Sequence, residues 1–209
     1  MTNLFLSHDR SRLHDGRRSF DPWALAWGPP EGALPEGSEI SPEAAVSWLY
    51  GEAKGRRVPV GVIGPREASP REIEVAEALG RRLGARGVPV LKGGKTGVME
   101  AISKGCMESG GDVFGFIPDE DWRCANLYVT VPLATGIGPA RNVLIARASL
   151  ALIAIGGEYG TLSEMALGLH FDKPVFALEN APHVDGALSM DGVEEVVAAL
   201  LPVILHLEK

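Results

Sequence analysis

Cysteine is nearly missing from this chain: Cys106 and Cys124 are the only two in 209 residues. Neither stands at a metal-ligand spacing, so neither a zinc site nor a disulfide framework organises the fold. We read them as reduced packing residues of a cytosolic protein, with a disulfide between them as the alternative. Long apolar runs are missing too, none approaching the ~18–20 residues that a membrane-spanning helix needs. The first residues, "MTNLFLSHDRSRLHDGRR", carry an apolar stub too short for a signal-peptide core, and arginines mixed with Asp9 and Asp15 do not read as a transit peptide. Positive charge is in deficit. The formal net charge of −7 argues against duplex nucleic acid or an anionic membrane as the partner, because it offers no net attraction to phosphate polymers. A local cationic pocket remains compatible with it.

What the chain has is glycine, 26 residues of it, which points to many tight junctions between strands and helices. The first 37 residues, with "DPWALAWGPPEGALPEG", read as an irregular arm in which Pro and Gly punctuate the chain and Trp23 and Trp27 pack onto something. A helix follows, with Ser41 as its N-cap and Pro42 at its first position. From Val58 the pattern becomes regular. Apolar runs "VPVGVIG", "VPVLKGG", "VFGFIPD", "LYVTVPL", "LALIAIGG" and "PVFALEN" alternate with helical stretches starting near Ser69, Gly97, Pro139, Thr161 and Asp191. Apolar strands joined by crossover helices predict a doubly wound α/β fold, its mostly parallel sheet covered by helices on both faces. We therefore expect an N-terminal arm and helix over 1–55 and a Rossmann-like domain over 56–209.

Such sheets bind ligands beyond the carboxyl ends of their strands, so the strand-to-helix junctions carry the functional signal. At the first, Gly64 ends a strand and Ser69-Pro70-Arg71-Glu72 is a capping box. One glycine is not the dinucleotide fingerprint, so Gly64 serves a turn or leaves room for a ligand's base or sugar. At the second, Gly94-Lys95-Thr96 has the tail of a phosphate-binding P-loop, but Pro89 stands where that motif needs glycine. Gly93, Gly94 and Gly97 then form either a structural turn or a ligand loop, with Val98 and Met99 packing inward.

At the third junction, Gly136-Ile137-Gly138-Pro139 leads into a helix with Arg141 in its first turn. A cation there opposes the helix dipole by ~0.3–1 kcal/mol, so Arg141 calls for an acidic partner or a ligand. Arg147 falls on another face and reads as an ion-pairing residue. The fourth junction is "LALIAIGGEYGTLSEMALGL". Gly156, Gly157 and Gly160 let a backbone approach a ligand, and the following helix start offers N–H donors as a phosphate seat, with the Thr161 hydroxyl added. Thr161-Leu162-Ser163-Glu164 is also a capping box, in which Glu164 would only bond back to the chain. That rival explains the acid and leaves the glycines unexplained. His170 and His183 have no partner spacing, and we expect no metal and no cofactor.

Taken together, "GGKTGVMEAISKGCMESGGDVFGFIP", the "ARN" of 140–142 and "IGGEYGTLSE" resemble the LOG-like superfamily over Val58 to Leu178. The resemblance implies a modified Rossmann fold, commonly dimeric, and hydrolysis of purine or cytokinin nucleoside 5′-monophosphates to free base and ribose 5-phosphate. It also implies roles: catalysis for Arg141 and Glu164, and phosphate binding for the loop Gly156, Gly157, Gly160 and Thr161. The chain departs from that family's loop, Pro-Gly-Gly-x-Gly-Thr-x-x-Glu, at Gly156 and Glu158. Asn142 stands for the family lysine, and Lys95 for a third glycine of the earlier loop. These features look more like the branch of proposed molybdenum-cofactor carriers, which makes a non-catalytic carrier or sensor the alternative. The partner expected is a small phosphate-bearing ligand, the setting cytoplasmic, the assembly a homo-oligomer. The superfamily's old decarboxylase label finds no support, since no Schiff-base lysine and no cofactor partners are evident.

Overall fold

The computed structural model of the chain describes residues 3–207. The chain divides into two compact units, Val58–Val197 and the residues up to Arg57 joined by those from Ala198 onward.

The smaller unit differs from the irregular arm expected of it. It contains β1 (Leu4–Ser7), β2 (Leu13–His14), β3 (Ser19–Asp21), β4 (Ala26–Gly28) and β5 (Gly37–Ile40). These form an antiparallel sheet in the order β4-β3-β2-β1-β5. Strands of two to four residues are too short to show an alternating pattern, and the Pro and Gly between them are its turns. Trp27 stacks on Phe20 with ring centres 5.2 Å apart and donates its indole N–H to the Leu205 carbonyl at 2.8 Å. Trp23 stays 63% exposed under the Arg56 guanidinium. The helix α1 (Pro42–Tyr50) starts as read, the Ser41 hydroxyl accepting from the Ala44 N–H at 3.2 Å.

The larger unit is built on seven parallel strands. They are β6 (Val60–Ile63), β7 (Val90–Lys92), β8 (Val113–Ile117), β9 (Val131–Ala134), β10 (Leu152–Ile155), β11 (Val175–Leu178) and β12 (Leu188–Ser189). All six apolar runs become strands, and β12 is the addition. Between them come α2 (Pro70–Gly84), α3 (Val98–Glu108), α4 (Asn142–Ala148) and α5 (Tyr159–His170), and α6 (Val193–Ile204) follows β12 and runs from the larger unit into the smaller. The architecture is the doubly wound α/β fold expected.

The order β12-β11-β10-β6-β7-β8-β9 decides where a ligand goes. From β6 the strands step outward to β9; the chain then returns to lay β10 on the other side of β6, with Ile153 opposite Val62 and Ala154 opposite Ile63. Strand order reverses between β6 and β10, and the crevice beyond their carboxyl ends is the position at which such sheets take ligands. Both strands are buried at every residue, which is why they read as continuous apolar runs rather than alternating ones. Among the described residues no helix is long and apolar enough to cross a membrane.

Candidate functional site

A cavity of about 630 Å³ opens at this reversal. It is lined at the end of β6 by Gly64, after β7 by Gly93 and Lys95, and on α3 by Met99. Pro118 and Asp119 follow β8, Arg141 and Asn142 stand at the start of α4, and Glu158, Gly160, Thr161 and Glu164 come from the start of α5. Seven of the residues singled out from the sequence therefore converge: Gly64, Gly93, Met99, Arg141, Gly160, Thr161 and Glu164. Gly94, Gly97, Gly156 and Gly157 do not line the cavity. They carry φ of 72°, 68°, 58° and 104° and turn the two loops that frame it.

Arg141 ends a 3₁₀ turn, Gly138–Arg141, and is buried at the foot of the cavity. Its guanidinium packs against Gly93, where a β-carbon would collide with it. The acid it called for is Glu164: Arg141 Nη1 stands 3.2 Å from Glu164 Oε1, and both side chains are 8% exposed. A second bond joins Arg141 Nη1 to Asn142 Oδ1, and Asn142 Nδ2 donates to Ser163 Oγ at 3.1 Å. Asn142, standing for the family lysine, thus ties the arginine to α5. Arg141 Nε is buried with no hydrogen-bond partner among the described residues, a donor available to a bound group.

Burial acts on both members of the pair. It pushes the Glu164 carboxyl up to about 7, against the pull of Arg141, and holds Arg141 below the usual guanidinium value. The guanidinium remains charged throughout the ordinary pH range. Glu164 is thus an acid poised near neutrality inside a ligand-sized cavity, the property asked of a general acid or base.

The capping-box reading of Thr161 to Glu164 fails. Helix α5 starts at Tyr159 with Glu158 as its N-cap, so Thr161 lies two residues inside and Glu164 is free to face Arg141. The Thr161 side chain is buried against Gly157, and beyond Gly160 the space is open. Glu158 lines the cavity, is exposed and makes no capping bond.

Two groups were not singled out from the sequence. Asp119 faces Lys95, whose Nζ stands 2.5 Å from Asp119 Oδ2, and Arg66 lies at the rim after Gly64. Both occupy positions just past a strand's carboxyl end, the one sequence signal that marks them. Elsewhere, Arg147 lies over the Phe171 ring at 4.6 Å rather than in the ion pair expected. Cys106 is a buried packing residue as read, whereas Cys124 is exposed, and both are free thiols.

The sequence pattern of the SLOG cluster4 family matches residues 57–199. The chain belongs to the SLOG cluster4 family. Relatives of this SLOG cluster4 protein include an uncharacterized protein of Archaeoglobus fulgidus, 37% identical over 138 residues, which span 66% of this chain and 91% of that one. A probable cytokinin riboside 5′-monophosphate phosphoribohydrolase of Oryza sativa subsp. japonica is 32% identical over 143 residues, covering 61% of this chain and only 56% of the rice protein. Among solved structures, a molybdenum cofactor binding protein of Rippkaea orientalis superposes with a TM-score of 0.67 at 30% identity, over 71% of this chain and 98% of that one. The LOG-like resemblance and the Rossmann-like fold both stand.

Proposed function

We propose that the chain binds a purine nucleoside 5′-monophosphate in this cavity and hydrolyses its N-glycosidic bond, releasing free base and ribose 5-phosphate. The observation that carries the reading is the buried Arg141–Glu164 pair at the foot of the cavity. Cleavage passes through an oxocarbenium-like sugar. As the bond from C1′ to the base nitrogen breaks, its electron pair leaves with the base, which takes up a proton, and water adds to C1′. Glu164, when ionised, accepts the water's proton or stabilises the positive sugar. Arg141 keeps Glu164 oriented and, through its unpaired Nε, holds a substrate oxygen. The rice relative's name supports the substrate class.

The deciding experiment incubates the protein with AMP and related monophosphates and measures released base by chromatography. Turnover is expected in the wild type and lost in Glu164→Gln. Undiminished turnover in that variant would remove Glu164 from the mechanism.

A second reading, a carrier of a phosphate-bearing pterin-type ligand, is favoured by a similarity that spans 98% of the Rippkaea protein and by Glu158 in the glycine loop. It predicts a ligand retained through purification, visible by native mass spectrometry, and no turnover on any monophosphate. On either reading we propose a cytoplasmic homo-oligomer with no nucleic-acid partner. The net charge of −7 and the exposed apolar side chains of Ile137, Val143 and Leu144 support it, and light scattering tests the assembly.

A further inference from the structure

Three cations and four acids line the cavity: Arg66, Lys95 and Arg141 against Glu67, Asp119, Glu158 and Glu164. Two of the cations are already engaged. Lys95 is held by Asp119, and Arg141 by Glu164. Arg66 is exposed, and among the described residues no hydrogen bond or ion pair holds its guanidinium. Its backbone, by contrast, is fixed. The Arg66 carbonyl accepts from Thr96 Oγ1 at 3.4 Å, and the neighbouring Pro65 carbonyl accepts from the Val98 N–H at 3.1 Å, anchoring this loop to the start of α3. The charge of Arg66 is felt across the cavity, where it helps to lower the pKa of both Arg141 and Asp119.

The neighbouring loop after β10 is hostile to an anion. The amino end of α5 is where the glycine loop would seat a phosphate, yet Glu158 stands there as the N-cap, its carboxylate uncompensated by any ion pair among the described residues. A carboxylate repels a phosphate dianion, and more strongly where the site is screened from water. A guanidinium offers charge and a planar pair of donors matched to phosphate oxygens.

We propose that Arg66 is the phosphate clamp of this site, so that the ligand's phosphate lies against the β6–α2 loop rather than on the glycine loop at the start of α5. The inference rests on the reading of the cavity as a phosphate-ligand site and assigns the orientation in which that ligand lies. The reacting end of the ligand remains over Glu164.

The test is calorimetric titration of wild type, Arg66→Ala and Glu158→Gly with AMP, adenosine and inorganic phosphate, after the unliganded proteins are shown to melt alike. The clamp predicts that Arg66→Ala weakens AMP and phosphate at least tenfold, leaves adenosine unchanged, and that Glu158→Gly changes AMP affinity less than threefold. If wild type binds phosphate through Arg66 but neither binds nor cleaves AMP, the clamp stands and the nucleotide reading falls. If AMP binds, Arg66→Ala is neutral and Glu158→Gly tightens AMP tenfold or more, the phosphate lies on the glycine loop and the clamp is overturned while the nucleotide reading survives. Absence of both AMP and phosphate binding in the wild type overturns the clamp outright.

Discussion

The carboxylate of Glu72 occupies the space that a β-carbon on Gly156 would need. Glu72 is held there by the capping box of α2: its Oε2 accepts from the Ser69 N–H at 2.6 Å, and the Glu72 N–H is bonded by Ser69 Oγ at 3.2 Å. A local helix signal thereby fixes a loop more than eighty residues away in the chain. Gly156 has φ of 58°, whereas proline is locked near −65°. The proline-bearing loop of the wider superfamily therefore cannot follow this course, and the glycine marks a real change of backbone path.

That relationship predicts opposite outcomes for two glycine substitutions in one loop. Gly156→Ala meets both the Glu72 carboxylate and a left-handed backbone costing ~1–2 kcal/mol, for a total loss of about 2–4 kcal/mol in urea denaturation. Gly160→Ala faces open space in the first turn of α5 and is expected to be neutral or to stabilise by up to ~1 kcal/mol. Equal effects would mean that Glu72 does not support the loop.

Much of this site was legible before the structure, and the reason is physical. Strands buried on both faces cannot alternate, so β6 and β10 appear as apolar runs, and their glycine ends mark the crevice. Arg141 was conspicuous because a cation in a first helical turn opposes the dipole. Its pairing with Glu164, 23 residues along the chain, was legible only through the family resemblance, because the spacing of Glu164 from Thr161 also imitates a cap. Arg66 and Asp119 were hidden for another reason. They line one cavity only because β6, β7 and β8 pair side by side, and no local pattern encodes that pairing. The strands of the small unit were invisible because periodicity needs more than two to four residues.

The elevated Glu164 sets the pH dependence of stability. The unfolded carboxyl titrates near 4.5 and the folded one near 7, so between these values only the folded chain keeps the proton. Stability from this group is full below pH 4.5, falls as pH rises to 7, and is level above it. The total is on the order of 3 kcal/mol. Urea midpoints collected from pH 4.5 to 7.5 should decline in wild type relative to Glu164→Gln. Parallel curves would show that the carboxyl is not desolvated as the structure implies.

Lys92 predicts a stabilising substitution. It is 0% exposed at the end of β7, and its Nζ has one carbonyl partner, Met99 O at 2.6 Å. Burial pulls its pKa down from 10.5 to about 7, with Cys106 and Glu100 opposing. The unfolded chain therefore holds a proton between pH 7 and 10.5 that the folded chain has lost, a penalty greatest at and below pH 7 and shrinking as pH rises. Lys92→Met keeps the bulk without the charge and should stabilise by about 1–3 kcal/mol at pH 7. The gain should diminish by pH 9, before the thiol of Cys106, itself pushed up to about 12, titrates. A gain independent of pH would point to packing alone.

Arg141 is expected to act partly through Glu164, and the two contributions separate by pH. Its charge holds the Glu164 pKa down against burial, so Arg141→Met should raise that pKa by ~1–3 units. If ionised Glu164 is the base, the acid-side rise of the kcat/KM profile moves upward by at least one pH unit, and activity lost at pH 7 returns toward pH 9. If Arg141 also grips the substrate through its unpaired Nε, KM rises at every pH and the high-pH plateau stays below wild type. A lowered plateau with no shift in the profile would leave Arg141 as a binding residue only. It would also require another source for the ionised state of a carboxylate buried this deeply.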